Sequence, residues 1–379
     1  MFVYFLFCLC LAYAQEIAPL SKKLDRFVQK KSISGAIAMV YWKGEIVHES
    51  VHGMRDVRGK KILKKDSLMR IYSMTKPLTS VAVMMLHEQN KLNIDDPVSK
   101  YLPELSGLRV HPSKELNREI SIRDLLRHTS GFTYGFFSKT PVDRMYMNNH
   151  PLYSANNIEM TRKLSSYPLL FQPGKKWHYS VSTDVLGDLV ERVSGVSLGD
   201  FFAKHITGPL GMNDTSFHVS KENIERFASS YGPKNKIHES YSESYFLIKD
   251  RIQSGGGGLV STASDYMKFC MMMLGKGELD GVRILKEESV REMTKNQLPK
   301  GVFAYGVFGF GLGFQVQIHD WGNHGHIGEY GWDGAASTHF WISPNDDLIV
   351  IVLSQRQPYF EQLKKSIKPI VYKHIKANP

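Results

Sequence analysis

Apolar residues recur at helix spacing near the start of this chain and then at strand spacing immediately afterwards. Residues 17–31 predict a helix with one apolar face, formed by Leu20, Leu24, Phe27 and Val28. The following stretch, GAIAMVYWKGEIVHESVHG, is rich in β-branched and aromatic residues on both sides of Lys43 and Gly44. This pattern predicts a β-hairpin that turns at those two residues.

The last part of the chain has the same two patterns, strands first and a helix last. The stretches FGFGLGFQVQIH and STHFWISPNDDLIVIVLSQ predict antiparallel strands, and the second contains a turn at residues 344–347. A closing helix is predicted after them, with Pro369 as a kink or an interruption. Its apolar face consists of Phe360, Leu363, Ile367 and Val371.

The middle of the chain, from about residue 74 to 300, shows mostly helical patterns joined by segments rich in proline and glycine. We therefore predict an α/β fold of the α+β kind, with an antiparallel sheet formed by the N- and C-terminal segments and flanked by helices. The sheet region would cover about residues 15–73 and 301–379, with the large helical region inserted between them. Residues 15–379 would then form one domain.

The N-terminal sequence MFVYFLFCLCLAYAQE has an apolar run that ends in the A-x-A pattern AYA. The run is shorter than the roughly 20 residues of a membrane span, which favours a cleaved signal peptide over residues 1–14. We therefore predict a secreted or periplasmic protein with no integral membrane segment after cleavage; the alternative is a buried N-terminal helix. Cleavage would remove Cys8 and Cys10 and leave Cys270 without an intramolecular disulfide partner.

The formal net charge of +11 raises the question of nucleic-acid binding. Lysine and arginine are spread over several separate stretches, and no nucleic-acid-binding motif accompanies them. Solvated helix faces explain this distribution better, with weak attraction to anionic surfaces as a consequence. We expect no nucleic-acid partner.

The sequence HESVH, from His48 to His52, matches the H-E-x-x-H zinc-peptidase signature. That chemistry needs a helix, whereas the residues around the motif favour a strand. In a strand the two histidines would lie roughly 13 Å apart at about 3.3 Å per residue, which is too far for one zinc ion. We therefore predict that both are surface strand residues, and we expect neither a metal nor a cofactor.

Ser73 and Lys76 form an S-x-x-K motif in YSMTKPLTSVAVMMLHEQNKL, where an apolar helix begins. On a helix the two side chains share a face, and a lysine in a dry site can activate a serine hydroxyl. Helix N-terminal N–H groups can also stabilise an oxyanion. The alternative is that Ser73 only caps the helix, because serine is a favoured N-cap residue.

Further motifs decide between the two interpretations of Ser73, as a nucleophile or as an N-cap residue. The blocks ISIRDLLRHTSGF, FQPGKKWHYSVSTDVLGDLVERVSG, ITGPLGMNDTSF and GGGGLVSTASDYMKF follow it in order. Together they resemble the serine β-lactamase and penicillin-binding protein superfamily over about residues 20–375, and especially esterase and transesterase members of its class C branch. The resemblance implies that Ser73 is the acylated nucleophile, that Lys76 activates it, and that Tyr179 shuttles the proton to the leaving group with a pKa lowered by Lys76.

The third motif of this superfamily corresponds to Trp332-Asp333-Gly334, where esterase-like relatives carry W-G-G. Gly334 would let the backbone approach the substrate, and the N–H groups of Ala335 and Ser73 would form the oxyanion hole. Asp333 is expected either at solvent or in contact with substrate. His326-Ile327-Gly328 is a competing match.

Two other features are expected to be structural. Ser254–Gly258, SGGGG, lacks the lysine and hydroxyl residue of a phosphate-binding loop and predicts a turn before a helix capped at Thr262. His128 is expected to pack a loop.

The resulting prediction is a secreted serine hydrolase that acts on a small-molecule ester or acyl substrate. A β-lactamase or D-Ala-D-Ala peptidase is the alternative, but Val181 stands where those enzymes have asparagine and offers no hydrogen bond to an amide. A non-catalytic binding homologue is a further alternative, and it would need an occluded pocket. Neutral esters are expected to stack on Trp332 and Tyr330.

Overall fold

A computed structural model describes residues 17–136 and 139–378. The predicted signal peptide over residues 1–14, together with Cys8 and Cys10, lies outside the described residues and stays a prediction. Cys270 is buried and free. Among the described residues, no helix has the length and apolar character that crossing a bilayer requires.

The strands come mainly from the two ends of the chain. They are Gly35–Trp42 (β1), Glu45–Asp56 (β2), Lys61–Ile62 (β3), Met69–Arg70 (β4), Arg109–Val110 (β5), Lys114–Glu115 (β6), Ser230–Tyr231 (β7), Ile237–Glu239 (β8), Val260–Ser261 (β9), Glu278–Leu279 (β10), Val282–Arg283 (β11), Gly309–Phe310 (β12), Gln315–Val316 (β13), Tyr330–Gly334 (β14), Thr338–Ser343 (β15) and Leu348–Ser354 (β16). Eight of them form one antiparallel sheet in the order β12-β13-β14-β15-β16-β1-β2-β3. The N-terminal hairpin thus pairs directly with the last strand.

Most α-helices lie between these two groups of strands in the sequence. They are Ala18–Gln29 (α1), Thr75–Glu88 (α2), Ile122–Leu126 (α3), Pro141–Asn148 (α4), Asn157–Leu164 (α5), Ser182–Ser194 (α6), Leu198–Phe202 (α7), Ala263–Leu274 (α8), Glu287–Thr294 (α9) and Gln362–Ala377 (α10). This mixed architecture confirms the predicted fold class.

Both faces of the large sheet are covered. On one face, alternate residues of β1, such as Ala38 and Val40, pack with Leu24 of α1 and Ile367 of α10. On the other face, Ile37 of β1 joins the larger core formed with the inserted helices. A sheet covered on both faces buries polar strand positions as well as apolar ones.

The predicted terminal elements agree with the structure except in detail. The hairpin turns at Lys43 and Gly44, which both have positive φ, and the second turn falls at Pro344–Asp346. The FGFGLGFQVQIH stretch contributes only the short strands β12 and β13. The closing helix α10 runs through Pro369 without interruption.

Candidate active site

Ser73 lies in a single 3₁₀ turn, Tyr72–Met74, that leads directly into α2. The N-cap residues of the 3₁₀ turn and of α2 are Ile71 and Met74, so Ser73 is the N-cap residue of neither segment, which argues against the simple N-cap interpretation. Tyr72 has φ of 43°, a left-handed conformation that costs a non-glycine residue free energy. The nucleophile candidate therefore follows a strained residue at the entrance to a helix.

The Ser73 hydroxyl lies between two candidate proton-transfer groups. The phenol of Tyr179 donates a 2.6 Å hydrogen bond to Ser73 Oγ, and Lys76 Nζ lies 3.4 Å from the same oxygen. The structure thus brings together the three residues that sequence similarity singled out. Lys76 Nζ also lies 4.6 Å from the centre of the Tyr179 ring.

Lys76 is fully buried, and this changes its acidity. Burial lowers the pKa of its ammonium from 10.5 to about 7, although the carboxylate of Asp184 acts in the opposite direction. Nζ donates hydrogen bonds to the carbonyl of Gly256 at 2.6 Å and to the Tyr134 hydroxyl at 3.0 Å. A large fraction of Lys76 is therefore neutral near pH 7 and can accept a proton.

Tyr134 and Asp184 complete this network, and sequence analysis missed both. The Tyr134 hydroxyl donates to Asp184 Oδ2 at 3.0 Å, and the backbone N–H of Gly256 donates to Asp184 Oδ1 at 3.1 Å. The hydroxyl of Ser254 also donates to Asp184. Tyr134 lies two residues after the RHTSGF block, and Asp184 lies five residues after Tyr179 in the block that contains it. Proximity to these family blocks was the available signal.

The SGGGG segment forms the predicted turn and also contacts residues of the site. A Cβ on Gly256 would lie 2.4 Å from Asp184 Oδ2 and 2.7 Å from the Tyr134 hydroxyl. The carbonyl of Gly255 accepts a 2.7 Å hydrogen bond from Thr79 Oγ1. Only glycine leaves room for the Asp184 and Tyr134 side chains at position 256. The predicted cap at Thr262 is confirmed, because its side chain accepts from Asp265 N–H.

The prediction that Lys76 lowers the pKa of Tyr179 is wrong. Burial is the largest influence and raises the pKa of the phenol well above 10, and the carboxylates of Asp184 and Asp333 act in the same direction. Tyr179 is thus a neutral phenol at pH 7. It is equipped to donate a proton and not to start as a phenolate base.

The third motif lies on β14, beside the segment that carries Ser73. A Cβ on Gly334 would lie 2.3 Å from the Ile71 carbonyl oxygen and 2.2 Å from Thr338 Oγ1. This close approach, possible only for glycine, brings the backbone at Ala335 near Ser73, and both residues line the same cavity. The geometry is compatible with the predicted pair of oxyanion N–H donors.

Asp333 also faces the cavity, but it is not a free charge at solvent. Its carboxylate accepts hydrogen bonds from Lys364 Nζ at 2.9 Å, from the Tyr359 hydroxyl at 2.8 Å and from His339 Nδ1 at 3.0 Å. The neighbouring ammonium of Lys364 holds the pKa of this carboxyl far below its ordinary value, against the effect of burial. The competing motif residue His326 instead pairs with Asp346, 2.8 Å away, and is not among the residues that line the cavity.

A cavity of about 980 Å³ opens beside Ser73. Its wall is largely aromatic, with Phe136, Tyr179, Tyr305, Phe308, Trp321 and Trp332. Phe136 and Tyr305 are 68% and 57% exposed, so they form its rim. Tyr330 is buried against Phe314 and does not line this wall, contrary to the expected stacking role.

The histidines of HESVH lie on β2, as the strand prediction required, but they are not surface residues. His48 is 1% exposed and accepts a hydrogen bond from the Ile17 N–H at 3.1 Å. His52 is 8% exposed and lies 2.7 Å from Asp25 of α1. Within residues 17–136 and 139–378, no group of three or more His, Cys, Asp or Glu side chains could hold a metal ion.

His128 and Val181 are both buried, and neither lines the cavity. His128 is fully buried, and its ring packs against Tyr179 with 5.0 Å between ring centres. Val181 precedes α6 and is also fully buried. The His128 ring therefore packs against Tyr179, while the Val181 side chain belongs to the large core.

Known proteins are similar to this chain both in sequence and in fold. The profile of the Beta-lactamase family matches residues 20–368. An uncharacterised protein of Mycobacterium tuberculosis is 34% identical over 352 residues, 86% of each chain. Esterase EstB of Burkholderia gladioli is 28% identical over 376 residues, covering 90% of this chain and 92% of its own. The solved structure of EstCE1, described as a hydrolase with promiscuous acyltransferase activity, superposes with a TM-score of 0.83 at 23% identity, covering 95% of this chain and 99% of its own.

Proposed function

Because the chain belongs to the Beta-lactamase family, we propose that it is a serine hydrolase that forms an acyl-enzyme on Ser73 and acts on small esters by hydrolysis or acyl transfer. The observation that carries this proposal is the position of Ser73 Oγ between the Tyr179 hydroxyl and a buried Lys76. A lysine with a pKa of about 7 and a neutral phenol supply a base and an acid on either side of one nucleophile.

In the first half-reaction, neutral Lys76 accepts the Ser73 proton as Oγ attacks the ester carbonyl carbon. The C=O electron pair moves to oxygen, which receives hydrogen bonds from the N–H groups of Ser73 and Ala335. As the tetrahedral intermediate collapses, the C–O bond to the alcohol breaks and Tyr179 protonates the departing oxygen. The ammonium of Lys76 then returns a proton to Tyr179, which leaves the acyl-enzyme and a neutral lysine.

In the second half-reaction, water or an alcohol attacks the acyl carbon and loses its proton to the same Tyr179 and Lys76 pair. Collapse of the second tetrahedral intermediate breaks the bond between the acyl carbon and Ser73 Oγ, and the pair returns the proton to Oγ. The free enzyme is thereby regenerated, with an acid or a new ester as the product. EstB is named as an esterase and EstCE1 as a hydrolase with acyltransferase activity, which supports both outcomes for this chain.

The cavity favours an apolar neutral ester. The aromatic wall, including Trp332, offers face and edge contacts to an acyl or alcohol group. Lactam and peptide substrates of β-lactamases and D,D-peptidases carry a carboxylate, whereas Trp332 and Asp333 occupy the corresponding motif here. An open cavity beside Ser73 also gives no support to a purely non-catalytic role. The proposal retains secretion, on the strength of residues 1–14.

Active-site labelling tests the proposal. A fluorophosphonate probe should modify the purified protein at Ser73, as located by peptide mass spectrometry, and Ser73→Ala should abolish labelling and reduce ester turnover by at least about a thousandfold. Ser80→Ala is the matched control, because Ser80 lies on the same helix α2 away from the cavity and should label as the unmodified protein does. Substantial turnover by folded Ser73→Ala protein would contradict the assignment.

A further inference from the structure

The wall of the cavity that α10 forms is polar, whereas much of the remaining wall is aromatic. Lys364, Lys365 and Lys368 of α10 all line it. Such a set of ammonium groups beside a nucleophile would ordinarily attract a substrate carboxylate. Here each of these three lysines has a carboxylate partner within the described part of the chain, which is Asp333, Glu361 and Glu329 respectively.

We propose that Asp333 is a specificity-determining residue that occupies the ammonium of Lys364 and thereby excludes substrates bearing a carboxylate on the acyl group. The inference rests on the proposed function, since it concerns which esters reach Ser73. It goes further by naming one ion pair that sets the charge preference of the site.

The contacts of Asp333 support a built arrangement. Lys364 Nζ donates to both oxygens of the Asp333 carboxylate, at 2.9 and 3.1 Å. Tyr359 and His339 donate to the remaining acceptor positions at 2.8 and 3.0 Å. The side chains of Asp333 and Lys364 are only 26% and 20% exposed. The carboxylate is thus held in one place by three side chains from two different elements and a loop.

The position of the pair along the chain gives it access to substrate. Asp333 immediately precedes Gly334 and Ala335, which would hold the ester carbonyl, and all three residues line the same cavity as Ser73. A substituent on the bound acyl group would therefore approach this wall. A carboxylate there would meet Asp333, which has like charge, and a lysine that is already paired.

The other two lysines are less suited to this role. Lys365 and Glu361 are 58% and 60% exposed, so solvent screens their interaction. Lys368 and Glu329 are 11% and 7% exposed, and Tyr372 also donates to Glu329, which ties this pair into the interior. Lys364, which is 20% exposed, lies between these two lysines in solvent exposure.

The test uses two substrates with the same acyl chain and the same leaving group, one of them anionic and the other neutral. Mono-4-nitrophenyl adipate carries a free carboxylate, and its methyl ester is neutral. The ratio of kcat/KM for the acid to that for the methyl ester is measured for the full chain, for Asp333→Asn, for Lys364→Met and for the double variant. Asp347→Asn, in the turn before β16, is the control for a general change in net charge, because Asp347 is only partly buried and does not line the cavity.

The two single variants should shift the ratio in opposite directions. Asp333→Asn frees the ammonium of Lys364 and should raise the ratio at least about tenfold, as expected for one charge-assisted contact. Lys364→Met leaves the Asp333 carboxylate without its counter-ion and should lower the ratio. The double variant should return to within about threefold of the unmodified protein, because the two charges are removed together.

Each outcome bears on a separate claim. If the unmodified protein hydrolyses neither ester, the proposed function fails and this inference fails with it. If both esters are hydrolysed and the ratio is unchanged in Asp333→Asn, or rises as much in Asp347→Asn, only this inference is overturned. Should Asp333→Asn not fold, the ratio for Lys364→Met decides: a decrease supports the inference, and an unchanged ratio overturns it.

Discussion

Tyr134 donates a 3.0 Å hydrogen bond to Asp184, and through this phenol the carboxylate is connected to Lys76. Asp184 opposes the effect of burial on the pKa of that lysine. The proposed base is therefore adjusted by two influences of opposite sign. Its pKa falls near neutral pH because burial is the larger influence.

We predict that Asp184→Asn moves the acid limb of the pH profile to lower pH. The proposed mechanism needs neutral Lys76, so kcat/KM should fall as pH decreases through about 7. Removing the Asp184 carboxylate removes an influence that raises the pKa of Lys76, so the acid limb should move to lower pH. Asp188→Asn, one turn further along α6 beside Arg192, is the control. A limb that stays in place or moves to higher pH would contradict the electrostatic role of Asp184.

Lys76→Ala and Tyr179→Phe should each reduce kcat nearly as much as Ser73→Ala does. The double variant should be only slightly slower than either single variant, because residues that act as one proton-transfer unit have non-additive effects. Steady-state kinetics with a 4-nitrophenyl ester measure this. Losses that multiply would mean that one of the two residues only binds substrate.

Gly256→Ala should lower kcat/KM by about a hundredfold, because its Cβ would displace Asp184 and Tyr134 and so move Lys76. Gly257→Ala is a matched control in the same segment. A Cβ at Gly257 would find its nearest neighbour at 3.7 Å, so this variant should keep its activity. Equal effects of the two substitutions on kcat/KM would contradict this prediction, because only the Cβ at position 256 would displace Asp184 and Tyr134.

The substrate preference predicted from the third motif can be tested with nitrocefin. A short-chain neutral ester should have a kcat/KM at least about a hundredfold above that for nitrocefin, or about 2.7 kcal/mol of differential transition-state binding. The reason is that Trp332 and the paired Asp333 offer no free cation to the carboxylate of the lactam. Nitrocefin turnover as fast as that of every ester tested would reverse this ranking.

The fold class and the S-x-x-K pair could be recognised from local patterns, whereas Tyr179 was identified only through the resemblance to the serine β-lactamase and penicillin-binding protein superfamily. Strand alternation at the two ends, helix periodicity between them and the S-x-x-K spacing are all visible within short windows. The same windows led to the prediction that His48 and His52 lie at the surface. Both are buried because α1 covers that face of the sheet, and a local pattern does not show that a second layer is present.

The connections around the site could not be predicted for a related reason. Asp184 reaches Gly256 across 72 positions, and Asp333 meets Lys364 across 31. Nothing in the periodicity of either segment identifies its partner. The direction of the Tyr179 pKa was also missed, because desolvation depends on the whole surrounding structure and not on the neighbouring lysine alone.

The contact between Gly334 and Ile71 also bears on when activity can arise. Thr338, which donates to the Ile71 carbonyl, lies 267 positions further along the chain. Strand β14 therefore reaches the serine-bearing turn only after nearly all of the polypeptide has been synthesised. Fragments that lack the last strands would retain Ser73, Lys76 and Tyr179 without Ala335, the proposed second oxyanion donor. Recovery of esterase turnover during refolding should thus report the final docking of the C-terminal strands, later than signals from the helices alone.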